Sequence, residues 1–347
     1  MDTIEISLAI NDNLEMIFIN LLEQKINNLK SPNGFTFCDV LNYSTKGNLI
    51  IKISYPRYFC GNNAFLITKR SQCFEVQKYF AKHIMEDEYF KEVIGELKIL
   101  RVDIPFTYYM NKGKTFSSYE NIYRIFAFVY NNLKEDAIPK AFIDMILNKM
   151  ETIIYSDNGK SDKSSNNRLM IYNQYANLKS KLKKEVFEEI LGKYDDLPYR
   201  IRMEVSKRIR LRIDFNSQTF STYDILGHYF EEYKKYILKY VLNKEKIEEL
   251  YNNWAEYLAR LLKEERTLTT FNYETFLLKN LSLIYDYEIL KRALKIGIDN
   301  ESTRENATTK IRKILKNIER ERNIIILDTY NVITEMRNTI SNYRLLD

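Results

Sequence analysis

Tyr172 and Tyr175 close the run Asn167-Arg168-Leu169-Met170-Ile171-Tyr172-Asn173-Gln174-Tyr175, a short apolar stretch ending in two phenols three residues apart. A tyrosine at the end of a strand, facing carboxylates of neighbouring strands, has the chemistry to attack a phosphodiester and hold it covalently, as in nicking one strand of DNA. Alternation offers two such carboxylates: Asp103 opposes Val102 and Ile104, and Glu204 opposes Met203 and Val205. If their strands neighbour that of Tyr172, one hydroxyl and two carboxylates share a face. Carboxylates are hard oxygen donors suited to Mg²⁺ or Mn²⁺, and such an ion would polarise a phosphate. With 27 tyrosines in the chain, any one of them is by default a packing or surface residue. Tyr175 has two readings: a second phenol on the same helix face, allowing alternating strand transfers, or a ring packed on the helix beneath it.

Composition narrows the function classes. The 347 residues, 45% hydrophobic and 14% aromatic, describe a folded chain long enough for two domains. His83 and His228 are the only histidines and stand apart, which argues against a two-histidine metal site. Cys38, Cys60 and Cys73 lack Cys-x-x-Cys spacing and read as reduced thiols. No apolar run of membrane-spanning length and no leader pattern occurs, so no membrane partner and a cytoplasmic location are expected. Fifty-three Lys and Arg against 47 Asp and Glu give a net charge of +6, concentrated in 179–184, 200–212 and 304–322, which favours polyanionic partners.

The elements that must position these residues follow from periodicity. Thr3 to Ile10 alternates as a half-buried strand, and Asn11 to Leu29 has helical spacing. Phe35–Leu41 and Asn48–Ser54 read as a hairpin around Ser44-Thr45-Lys46-Gly47, and Tyr55 to Asn63 as irregular chain. A helix is expected from Ser71 to about Phe90, a strand from Leu97 to Phe106, and a helix from Ser118 to Leu133 capped by Ser117 or Ser118. Glu151–Ser156, a polar loop over 157–167, and Arg168–Tyr172 form two further strands and their connection. A helix over Asn177–Leu191 and a strand over Tyr199–Ile209 follow. Beyond residue 216 the periodicity is helical, interrupted only by Ile324 to Leu327. The expected fold is α+β, a mostly antiparallel sheet with flanking helices over 1–215, then an all-helical domain over 216–347.

Five segments occur in order: 52–65, Lys52-Ile-Ser-Tyr-Pro-Arg-Tyr-Phe-Cys-Gly-Asn-Asn-Ala-Phe65; Leu100-Arg101-Val102-Asp103; Glu151-Thr152-Ile153-Ile154-Tyr155; Leu169-Met170-Ile171-Tyr172; and Arg200-Ile201-Arg202-Met203-Glu204. This series resembles the ordered motifs of rolling-circle replication initiators, in particular the filamentous-phage and plasmid replication proteins, over roughly residues 48 to 210. The resemblance implies a Rep nuclease-like fold and an enzyme that nicks origin DNA, stays joined to the 5′ phosphate through tyrosine, and later rejoins the ends. It gives Tyr172 the nucleophile's place, Asp103 and Glu204 the places of the acids near a divalent metal, and Arg101 and Arg202 a phosphate-contacting part. Lys179 and Lys181 are further phosphate candidates. Where relatives often carry Gly-His-Asn this chain has Gly61-Asn62-Asn63, a usual Lys is Gln174, and an expected acid is replaced near Asn177. These differences carry an alternative: a non-catalytic DNA-binding initiator or regulator on the same scaffold.

In the helical domain, Asp286–Ala293, a turn containing Gly297, and 302–316 are compatible with a helix-turn-helix. Its second helix would offer Arg304, Thr308, Lys310, Arg312 and Lys313 to a DNA groove. Expected partners are double- and single-stranded origin DNA, with a host helicase and a second copy of the chain.

Overall fold

The structure is a computed structural model, which describes residues 1–10, 16–44, 47–111, 119–133, 140–146, 149–156, 166–210, 213–281, 284, 286–322 and 328–347. These fold as α+β, an antiparallel sheet with many helices and a mostly helical C-terminal part. The strands are β1 (Thr3–Ile10), β2 (Cys38–Ser44), β3 (Asn48–Ser54), β4 (Ile94–Tyr109), β5 (Lys140–Ile146), β6 (Lys149–Ser156), β7 (Asn167–Asn173) and β8 (Arg200–Arg208). They form one sheet in the order β2-β3-β1-β4-β8-β7-β6-β5, antiparallel at every pairing.

The helices are α1 (Met16–Asn27), α2 (Tyr55–Cys60), α3 (Arg70–Phe80), α4 (Glu120–Leu133), α5 (Gln174–Lys181), α6 (Lys184–Lys193) and α7 (Ser217–Thr222). The C-terminal part adds α8 (Ile225–Tyr240), α9 (Lys244–Arg266), α10 (Tyr273–Lys279), α11 (Tyr287–Gly297), α12 (Glu301–Arg322) and α13 (Thr329–Asn342).

Alternation divides the sheet into two unlike faces. Residues directly opposite in an antiparallel pair point the same way. Ile4 faces Val102, Ile104 faces Val205, Phe106 faces Met203, and Leu169 also faces Val205, so these side chains make one apolar face. Helices cover it: Phe106 meets Phe230 of α8 at 5.3 Å between ring centroids, and Tyr233 of α8 donates to the Val102 carbonyl. Gln77 of α3 ties in α7 by donating to the carbonyls of Phe220 and Tyr223. The other face carries Thr3, Asp103, Ser206, Glu204, Arg202 and Tyr172.

Two compact units divide the chain. One comprises Met1–Lys112, Asp136–Ile237 and Asn342–Asp347 and contains the sheet; the other comprises Gly113–Glu135 and Leu238–Ser341 and is helical. The expected stretches 1–215 and 216–347 are consecutive, whereas these units interleave. The end of strand periodicity marks where pairing stops, but compactness follows burial, and α7 with most of α8 turns its apolar residues onto the sheet. In the helical unit α9 lies against α11, with Gly297 close to Leu262, and Leu250, Tyr251, Leu258, Ile289 and Leu294 are buried.

Several local expectations shift. The segment read as irregular from Tyr55 forms α2, because Pro56 occupies its first turn, where no N–H is required. It ends on Gly61 at φ +73°, where a Cβ would come within 2.8 Å of the Phe35 ring, so glycine is required twice over. The helix expected to reach Phe90 ends at Phe80 in a π-helical turn, Ala81–Met85. The helix expected over Asn177–Leu191 is two helices: α5 starts earlier, capped by the Asn173 side chain accepting from the Ala176 N–H, and extended Lys183 separates it from α6. Strand β5 has no counterpart in the sequence reading, and α7 and α13 fall in the stretch read as helical without bounds of their own. The turn residues Thr45 and Lys46, the cap at Ser117 or Ser118, most of the 157–167 loop and the run Ile324–Leu327 lie outside the described residues.

Candidate active site

The strand order β4-β8-β7 makes Asp103, Glu204 and Tyr172 residues of adjacent strands on the polar face. Asp103 is paired across from Ser206, Glu204 lies between Pro105 and Met170, and Tyr172 lies between Arg202 and Thr152. All three are buried and line one cleft of about 510 Å³. The Tyr172 hydroxyl donates to Glu204 Oε2 at 3.2 Å. The arrangement sought from alternation alone, a phenol and two carboxylates on one face, is therefore present.

Asp2 joins them, a residue the sequence reading passed over. Its N–H donates to the Asp103 carbonyl at 3.0 Å and its own carbonyl accepts from the Tyr55 N–H at 2.9 Å, so the backbone holds it beside the cleft. Its carboxylate lies 3.1 Å from the Arg202 guanidinium. Arg202 is fully buried, and it also donates to the Asn63 carbonyl at 3.0 Å. The available signal was the strand start: Thr3 pairs with Asp103, which brings the preceding residue to the same end.

Burial governs the protonation states. Desolvation, with the charges of Asp2 and Asp103, pushes the Glu204 carboxyl up to about 8, against the pull of Arg202. Desolvation likewise holds the Tyr172 phenol well above its ordinary value; Arg202 opposes this, while Glu204 and Asp2 reinforce it. Arg202 keeps its charge because Asp2, Tyr172 and Glu204 surround it. Near neutral pH the pair Tyr172–Glu204 is thus largely protonated, and at higher pH Glu204 becomes an acceptor in contact with the phenol.

The other expected residues separate into two groups. Lys181 lines the cleft with Lys52 and Arg168, two cations the reading did not single out. Arg101 and Arg202, expected to contact phosphate, are buried with internal partners: Arg101 donates to Ser206 Oγ at 2.7 Å and lies 3.6 Å from Glu5. Tyr175 is the second residue of α5 rather than sharing an element with Tyr172. Its half-buried ring packs edge-on to Phe187 at 5.1 Å, against the small core of Leu178, Ile190 and Leu197, and Lys179 lies over it at 5.8 Å. The packing reading of Tyr175 accounts for it. Arg304 and Arg312 line a separate cleft in the helical unit, and Lys313 is exposed on α12.

The positions that differ from the resembled motifs have structural jobs. Asn62 closes its turn, its side chain donating to the Cys60 carbonyl and accepting from the Ala64 N–H. Gln174 is fully buried; it donates to the Asn63 carbonyl at 2.5 Å and accepts from Arg200 at 3.4 Å. Asn177 lines the cleft.

No family model matches the chain, and no curated protein or solved structure matches it either. The functional reading therefore rests on the cleft itself. Among the described residues no group of three His, Cys, Asp or Glu side chains has the spacing of a metal cluster. Among them, too, no helix is long and apolar enough to cross a membrane.

Proposed function

We propose that the chain is a rolling-circle-type replication initiator of a plasmid or phage, which nicks and rejoins one strand of origin DNA through Tyr172. The observation that carries this reading is the contact of the Tyr172 hydroxyl with Glu204, inside a cleft that also presents Lys52, Arg168 and Lys181. In the step proposed, the Tyr172 phenol oxygen bonds to phosphorus and the bond from phosphorus to the 3′ oxygen breaks. The phenol proton passes to Glu204 Oε2, and the departing 3′ oxygen takes up a proton to become a hydroxyl. Reversal by a 3′ hydroxyl rejoins the strand.

Mg²⁺ or Mn²⁺ suits the donor set here. Asp103 and Glu204 are hard oxygen ligands, and the crowding of Asp2, Asp103 and Glu204, which adds to burial in raising the Glu204 pKa, is the kind of negative charge a cation relieves. Ions of this class are commonly held by one or two carboxylates together with waters and substrate phosphate. When bound, such an ion would draw charge from a phosphate oxygen. Lys52, Arg168 and Lys181 hold the polyanion at the cleft, and Arg202 keeps the carboxylate cluster compensated.

A second reading, a binding-only initiator or regulator, has its own observation: Tyr172 is only 4% exposed and its phenol is held neutral by burial. The test incubates the protein with single-stranded DNA carrying candidate origin sequence and Mn²⁺, then denatures it. A covalent adduct that Tyr172→Phe abolishes is the expected result. DNA retention without any adduct favours the second reading, and an adduct that survives Tyr172→Phe rejects the assignment of the nucleophile.

A further inference from the structure

In the helical unit, α11 and α12 border a cleft of about 460 Å³ whose charged lining is Lys291, Lys295, Arg304, Arg312 and a lone acid, Glu305. Four cations face one carboxylate in this lining, and at its edge Glu288 lies 3.5 Å from Lys291 and Glu301 3.7 Å from Arg304. The two walls are regular. Lys291 and Lys295 are one turn apart on α11, while Arg304, Thr308 and Arg312 follow at four-residue steps on α12. At about 100° per residue, Thr308 and Arg312 lie about 40° and 80° round the helix from Arg304, whereas Lys313 and Lys310 lie about 180° and 240° round. Lys310 accordingly rests over the Tyr273 ring of α10 at 5.7 Å.

This geometry corrects the expectation that five α12 residues share one DNA-reading surface. A recognition helix reads bases with the face turned into the groove. Here the cationic stripe instead shares a cleft with the preceding helix, and the outward lysines belong to other sides of α12. Arg312 is held by donating to the Tyr287 hydroxyl at 2.6 Å with its guanidinium over that ring, and Arg304 donates to the Ile298 carbonyl at 3.3 Å. Lys291 and Lys295 are exposed.

We propose that the α11–α12 cleft is a docking site for the phosphodiester backbone of duplex DNA, gripping one strand by charge without reading bases. From Arg304 to Arg312 the stripe runs about 12 Å, long enough to face more than one phosphate of a strand. The hydroxyls of Thr309 and Tyr287 on the walls suit phosphate oxygens, whereas that of Thr308 donates to the Arg304 carbonyl at 2.8 Å. The inference stands apart from strand nicking, since binding here requires neither Tyr172 nor a divalent ion.

The test measures binding of the full chain to a short random-sequence duplex over a salt series, without divalent cation. Lys291→Gln/Lys295→Gln should lower the slope of log affinity against log salt by about 2, close to 0.9 for each phosphate that is no longer neutralised. Lys310→Gln/Lys313→Gln should leave the slope near the wild-type value, and so should Tyr172→Phe. A slope unchanged by the first pair, an equal fall with the second pair, or no duplex retention by the wild type overturns the proposal. So does displacement of the duplex by polyglutamate with the same dependence on Lys291 and Lys295, which would make the site one for acidic protein. Lys295→Glu provides a second variant at an exposed position, expected to weaken binding further than Lys295→Gln.

Discussion

Replacing Glu204 by Gln removes a titrating group while keeping an oxygen that accepts from the Tyr172 hydroxyl. In the folded chain the Glu204 carboxyl is pushed up to about 8, from an ordinary 4.5. Because the folded pKa lies above the unfolded one, the native state binds the proton more tightly. The resulting stability is fully present below about 4.5 and is lost as pH rises through about 8. Between pH 4.5 and pH 7 the interval is about 2.5 units, and at about 1.4 kcal/mol per unit this group accounts for at most about 3.5 kcal/mol of lost stability. Urea unfolding of wild type and Glu204→Gln, followed by circular dichroism across that range, measures it directly. The variant should gain on the wild type as pH rises, since titrating groups elsewhere, Asp286 included, cancel in the difference. A difference between the two proteins that stays constant from pH 5 to pH 7.5, within about 0.5 kcal/mol, would refute the reasoning.

Three further outcomes are expected. Adduct formation through Tyr172 should rise with pH as Glu204 loses its proton and can accept that of the phenol, with an inflection near 8 without metal and lower with a divalent ion bound; a profile flat from pH 5 to 9 would detach Glu204 from the proton transfer. Gln174→Lys should lower the melting temperature, because a third cation would be buried beside Arg200 and Arg202; the cost is about 3 kcal/mol, and an unchanged melting temperature would contradict it. Asp286→Ala should destabilise the helical unit by about 2–3 kcal/mol in urea titrations read from Trp254 fluorescence. Asp286 is fully buried, caps α11 through the Glu288 N–H, accepts from the Tyr330 N–H at the start of α13, and holds the Tyr251 hydroxyl.

Local order was largely legible where one rule acts alone. The alternation of Thr3–Ile10 and Asn48–Ser54 set two strands at their observed bounds, and that of 200–208 told which residues face apolar neighbours. The same rule placed Asp103, Tyr172 and Glu204 opposite Ile and Val before any pairing was known. It failed where a helix is too short for periodicity, as in α2, and where two helices continue one pattern, as across Lys183 between α5 and α6.

What the residues determined by themselves was thus the chemistry on offer: which strands have a polar face, and that a phenol and two carboxylates stand on such faces. Only the tertiary structure decided that β4, β8 and β7 are neighbours, because strand order depends on which faces are buried together, a long-range property with no local signature. The same packing buried Glu204 and brought Asp2 and Asp103 close to it, which raises its pKa, while the neighbouring Arg202 pulls it down. It also packed the half-buried Tyr175 against a small core and set Arg304 and Arg312 into a cleft with α11. Charge and hydroxyl count are written along the chain, whereas desolvation, which sets how those groups titrate and what they can bind, arises only when the chain closes over them.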